Sequence, residues 1–280
     1  MRLSAMMLLS MLRSTTINRE ATGTEKHSTE GVGLVDGGLR LLAYIFTLRI
    51  PTWVEQPTAE AFGQIFSELQ PQLGLDRLET PGVPPSCLMA RGAALSIQID
   101  PKQGLFQYIR NLEAFDGNDR PRVLDDLSHE FIAALSEARR FLRPVLFVSP
   151  MAQVRAAWPV TNRDARAFLE SRVHGGLHPV AVGEGLVLGF HLVQTPVQVA
   201  DPADQHFLDL KVEPFVRDLT SIWLEATYQY PTVAIPGAGI VAPRTPNSAQ
   251  DAQEVDVSKL WECGKGAHAL LEKAPAFLGQ

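Results

Sequence analysis

HFLDLKVEPFVRDLTSIWLEATYQY, residues 206–230, decides the fold. Two runs within it, 206–216 and 221–230, alternate apolar and polar positions, the period of strands with one buried face. In the first, Leu208, Leu210 and Val212 oppose Asp209, Lys211 and Glu213. In the second, Ile222, Leu224, Ala226 and Tyr228 oppose Trp223, Glu225, Thr227 and Gln229. The tight connection between them carries Arg217 and Asp218. An antiparallel pair is expected, with one face on a core and a mixed-charge face turned away from it.

Working outward, residues 186–193 read as a further strand and Asp256 to Ala274 as an amphipathic helix. Upstream, 152–158 (AQVRAAW) alternates as a strand. A helix capped by Thr161 or Asn162 then runs to about Val173, until His174-Gly-Gly-Leu-His178-Pro breaks it. The first part of the chain repeats this order. Residues 42–50 (LAYIFTLRI) put Leu42, Tyr44, Phe46, Leu48 and Ile50 on one strand face. Thr58 caps a helix over 59–70 that Pro71 stops. Residues 80–86 form a loop, and 87–99 with 105–110 make a hairpin around Asp100 to Gly104. A helix over 121–143 carries Leu124, Leu127, Phe131, Leu135, Ala138 and Leu142 as one stripe, with Asn118 or Asp119 as its cap. On it, His129 and Glu130 fall on the exposed side, and Pro144 ends it.

The fold class that follows is α+β, in two similar strand-helix-strand-strand-helix halves, 39–144 and 145–280. The second half carries one further strand before its last helix, and the matching order points to an internal duplication. Antiparallel sheets with helices packed on one face are expected. Residues 1–38 read as a disordered leader or a mis-assigned start, because they are polar and Gly-rich after Leu12 and all 20 prolines lie at position 51 or later.

Composition narrows the function. Apolar residues make up 45% of the 280, enough to bury a core, which excludes wholesale disorder. With 25 basic and 31 acidic residues the net charge is −6, which argues against a phosphate-neutralising nucleic-acid clamp. No run approaches the ~20 apolar residues of a spanning helix, so no membrane partner is expected. Two cysteines, Cys87 and Cys263, point to a reducing cytoplasm rather than a disulfide scaffold.

Signatures of chemistry are sparse. Gly183-Glu-Gly185 leads into a strand, where a dinucleotide fingerprint must open a helix, and Gly264-Lys-Gly266 lacks the Ser or Thr of a phosphate loop. No cofactor is expected. His174 and His178 have the spacing of two zinc ligands on a helix, but the intervening glycines and Pro179 favour a solvated loop. No metal site is expected, although His191, His206, Asp201 or Asp204 would be the third-ligand candidates. Serines 86, 96, 149 and 221 lack a nucleophile signature. The cluster that stands out is Asp209, Lys211, Glu213, Arg217, Trp223 and Glu225 on the late strands. The expected function is a non-enzymatic interaction or assembly component using this face on a protein partner. The alternative is an enzyme or small-molecule binder with a site in the cleft between the halves.

Overall fold

Leu39–Arg49 (β2) is apolar on both faces, as a strand in the middle of a covered sheet must be, and nearly all of it is buried. The computed structural model describes residues 34–35, 38–53, 58–79, 88–92, 94–112, 127–142, 144, 146–160, 164–172, 189–194, 199, 204–231, 233–236 and 258–279. Before β2 comes a two-residue strand, Leu34–Val35 (β1), and after it Ala59–Leu73 (α1), Leu75–Glu79 (β3), Leu88–Gly92 (β4), Leu95–Asp100 (β5), Leu105–Asn111 (β6) and Ser128–Leu142 (α2). The chain continues with Leu146–Pro159 (β7), Ala165–Arg172 (α3), Phe190–Gln194 (β8), Phe207–Pro214 (β9), Ser221–Gln229 (β10), Ala234–Pro236 (β11) and Ser258–Gly279 (α4). The strands form one antiparallel sheet in the order β3-β4-β5-β6-β2-β7-β10-β9-β8, with β1 paired to β2 and β11 to β7.

The centre of the sheet is the β2–β7 pair, whose register matches Arg40 to Ala157 and Thr47 to Met151. A register shift between Leu41 and Ala43 changes the reading of β2. Tyr44, Phe46, Leu48 and Ile50 join the main core, whereas Leu42 joins a small separate cluster with Ala157 and Phe215. The alternation expected from Leu42 onward therefore fails at its first residue, because one extra residue at a bulge swaps faces. A second irregularity lies in β7 at Ser149, a non-glycine residue with φ 54°. Its N–H donates to the Val233 carbonyl at 3.0 Å and its hydroxyl to the Pro231 carbonyl at 2.9 Å.

In the main core, Phe46 of β2 lies 5.5 Å from Phe131 of α2 and 4.9 Å from Trp261 of α4, centroid to centroid. Burying each such ring stabilises the fold by about 1.5–3 kcal/mol. Phe62, Ile65 and Leu69 of α1 and Ala165 and Leu169 of α3 belong to the same cluster.

Helix ends correct three expectations. Thr58 caps α1 as expected, accepting from the Ala61 N–H at 3.2 Å, but Pro71 does not stop the helix. Proline here removes the bond to the residue-67 carbonyl and crowds it, yet the helix runs on and closes at Gly74, left-handed at φ 64°, whose N–H reaches the Gln70 carbonyl. The cap of α3 is Asp164, accepting from the Arg166 and Ala167 N–H groups at 2.8 and 3.3 Å. Thr161 and Asn162 lie outside the described residues, as do Asn118, Asp119 and Leu124. Glu130 is not on an exposed side: its carboxylate accepts from the Tyr108 hydroxyl at 2.6 Å and pairs with Arg110 at 3.3 Å.

Several strands differ from the sequence reading, the short β1 and β11 among them. The expected strand 87–99 is two, β4 and β5, joined into a meander with β6. Strand β3 was not expected at all, because Asp76, Arg77 and Glu79 leave it no apolar alternation.

Candidate functional site

Strands β9 and β10 pair as their alternation implies, setting Trp223 opposite Glu213, Glu225 opposite Lys211 and Thr227 opposite Asp209. Five of the six singled-out residues therefore share one face. Register extends the Glu225 row across six strands: His191, Lys211, Glu225, Arg155, Ala43 and Asn111.

Arg155 organises this row and was not singled out in the sequence. Its Nε donates to Glu225 Oε2 at 2.6 Å, and its guanidinium sits 5.6 Å above the Trp223 ring. Lys211 Nζ donates to Glu213 Oε1 at 2.9 Å. The alternation of 152–158 turns Arg155 away from Val154, but its partner is 70 residues downstream and only the pairing of β7 with β10 supplies it. Charges on this face thus hold one another in fixed positions. Each pair is partly exposed, so each contributes about 0.2–1 kcal/mol. Asp209 differs: its Oδ1 is buried without a hydrogen-bond partner among the described residues.

Beside the charged row is an apolar patch. Trp223 packs on the Leu42, Ala157 and Phe215 cluster, 5.5 Å from the Phe215 ring. The turn after β9 is locked by Asp218, which accepts from the Ser221 hydroxyl at 2.6 Å, the Thr220 hydroxyl at 2.6 Å and the Thr220 N–H at 3.0 Å. These bonds, led by the one from Ser221, hold the Asp218 carboxyl below the usual carboxylate range. The locked turn leaves Val216 83% and Leu219 60% exposed. Arg217, the sixth expected residue, lines a shallow groove of about 410 Å3 together with Arg155, Glu213, Val216 and Trp223. Ala43, Ile109 and Asn111 form its far wall. The apolar members of this surface were legible only as strand and turn residues.

Other candidates fare differently. His174 and His178 lie outside the described residues, as does Asp201. His191 sits on β8 beside Lys211, while His206 stacks on Tyr228 at 4.7 Å, so the third-ligand candidates are not gathered together. Among the described residues no group of three or more His, Cys, Asp or Glu is placed to hold a metal ion. Gly264-Lys-Gly266 lies inside α4. Cys263 is buried, its thiol donates to the Pro150 carbonyl at 3.3 Å, and burial pushes its pKa up to about 12. That thiol is protonated and unreactive in the folded protein. Among the described residues no helix is long and apolar enough to cross a membrane. No family model matches the chain, and a search of curated proteins likewise finds no match.

Proposed function

We propose that this protein is a non-enzymatic interaction or assembly component, built as two duplicated halves, whose open sheet face docks a protein partner around Trp223. The observation that carries the reading is the locked turn, which presents Val216 and Leu219 to solvent beside the Trp223–Phe215 pair. Apolar side chains held out by a rigid turn, flanked by aromatic and Arg residues, have the make-up of interface hot spots. Ion pairs already closed within the face keep it ordered before a partner arrives, which lowers the ordering cost of association.

The duplication rests on two observations. From the centre outward the strands run β2-β6-β5-β4 on one side and β7-β10-β9-β8 on the other, the same chain order twice. In each half a tyrosine near the end of the last long strand donates to a glutamate near the start of the following helix, Tyr108 to Glu130 and Tyr230 to Glu262. Helices α1 to α4 contribute to one core cluster, which supports a helical layer on one face and a partner on the other. A cytoplasmic location goes with this reading, in keeping with the free Cys263.

A second reading, a small-molecule binder, is favoured by the groove drawing residues from both halves, Ala43 and Asn111 from one and Arg155 and Trp223 from the other. One set of variants separates the two. V216E and L219E alter only exposed positions, so melting stays within about ±0.5 kcal/mol of the parent. Loss of co-purifying protein in both variants supports docking, and unchanged recovery sinks it. A metabolite extract that binds the parent and L219E alike, but neither V216E nor N111A, favours the small-molecule reading instead, since Val216 and Asn111 line the groove and Leu219 does not.

A further inference from the structure

We propose a second site, away from the Trp223 face: a cleft that binds a small organic anion, its charged group on Arg49 and Lys102 and its apolar body against Trp53. The cleft measures about 530 Å3, within the usual size range of ligand pockets, and lies where β2, the β5–β6 turn and β7 meet. Its walls include Arg49, Pro51, Trp53, Pro101, Lys102 and Val148.

Three features make it a built site. Asp100 spends a carboxylate oxygen on the turn, accepting from the Lys102 and Gln103 N–H groups at 2.9 and 3.0 Å. The turn is then clamped to the strand end: Ile50 N–H donates to the Gly104 carbonyl at 2.7 Å. Gly104 is left-handed at φ 61°, and a Cβ there would meet the Ile50 carbonyl oxygen at 2.5 Å, so only glycine closes this contact. The backbone that carries Lys102 and Arg49 is thereby held on walls of the same cleft.

The chemistry of the lining is one-sided. Its charged side chains are both cations, and among the described residues neither Arg49 nor Lys102 has an ion-pair partner. In a chain with 31 acids to 25 bases, a cleft lined by cations and no carboxylate runs against the composition. The Trp53 indole N–H is buried without an acceptor among the described residues. Pro51, Pro101 and the Trp53 indole offer flat apolar surface, and the uncharged polar side chains of the lining are Thr52 and Gln103. Two cations without ion-pair partners among the described residues, set beside an apolar wall, fit an anion that carries a ring or branched chain, rather than a bare ion or a neutral ring.

Phenyl phosphate, inorganic phosphate and phenol, titrated into the full chain and followed by NMR, test the assignment. Phenyl phosphate should bind at least about tenfold more tightly than either half-molecule, shifting the Trp53 indole N–H and the amides of 102–104. Its affinity should fall as sodium chloride is raised, because both cations are solvent-screened. R49Q and K102Q, changes at chain positions with no ion pair to lose, should each weaken binding severalfold with melting unchanged. Equal binding of phenol or of inorganic phosphate, salt-independent binding, shifts elsewhere, or no binding at millimolar phenyl phosphate overturns the site. Should a variant fail to fold, the salt and probe comparisons on the parent decide the matter alone.

Discussion

Each half of the sheet carries a tyrosine, a glutamate and a cation joined across strand and helix, and the two sets differ in depth. In the first, Tyr108 of β6 and Arg110 converge on Glu130 of α2, with only 11% of the Arg110 side chain exposed. In the second, Tyr230 donates to Glu262 of α4 at 2.9 Å, and Lys259 pairs with Glu262 at 3.0 Å and with Asp204 at 3.3 Å near the surface. Lys259 also sits 4.7 Å over the Tyr230 ring. The same connection thus serves two ends. The deeper set fixes how α2 seats on its strands, because its charges have less water to fall back on. A surface set adds little to stability and joins α4 to the segment before β9.

The widest test of this contrast is alkaline pH. All four tyrosines, Tyr44, Tyr108, Tyr228 and Tyr230, have raised pKa values, with burial as the first cause in each, and that of Tyr230 is pushed up to about 12. Unfolded tyrosine ionises near pH ~10, so the unfolded chain loses protons before the folded one. Stability is whole below pH ~10 and falls as pH climbs through the folded-state values. Thermal melts from pH 8 to 12 should show this decline, and tyrosinate absorbance should stay flat near pH 10 until the chain unfolds. A tyrosine titrating normally in the folded protein would break the picture. Next comes Glu130→Ala, which leaves Arg110 and the Tyr108 hydroxyl without their shared acceptor. It should cost about 2–3 kcal/mol by urea denaturation. Gly266→Ala puts a methyl 2.2 Å from the Tyr228 ring and should cost about 1–3 kcal/mol unless the ring swings aside, which its near-ultraviolet circular dichroism would register. Smallest is Glu262→Gln, expected below about 1 kcal/mol because the pair is exposed. An effect there as large as that of Glu130→Ala would erase the contrast.

The antiparallel pair at 206–230 was legible because its alternation is clean and its partner strand is adjacent. So was the stripe on α2, through Phe131, Leu135 and Ala138. What escaped depended on distant partners or on single-residue backbone shifts. Glu130 looked exposed from helical period alone, since Tyr108 lies 22 residues back on another element. Arg155 looked like any polar strand residue until β10 came alongside. Leu42 changed faces at a bulge that no side chain announces. Among the candidate residues, the cluster on β9 and β10 came together as expected, whereas its apolar neighbours Leu42, Val216 and Leu219 gained meaning only from the fold.

The β2–β7 pairing has a consequence for how the chain reaches this state. Tyr44 pairs with Val154, so the middle of the sheet closes only after more than half of the chain has been made. Contacts so distant in sequence slow folding. Until they form, each half presents a long, apolar, unpaired edge, the kind of surface that templates aggregation. A chain cut in the stretch between α2 and β7 would yield two fragments with complementary edges, which should stick to each other when mixed and to themselves when not. Two intact chains crowded during synthesis face the same choice, and exchange of halves between neighbours is the misassembly this architecture invites.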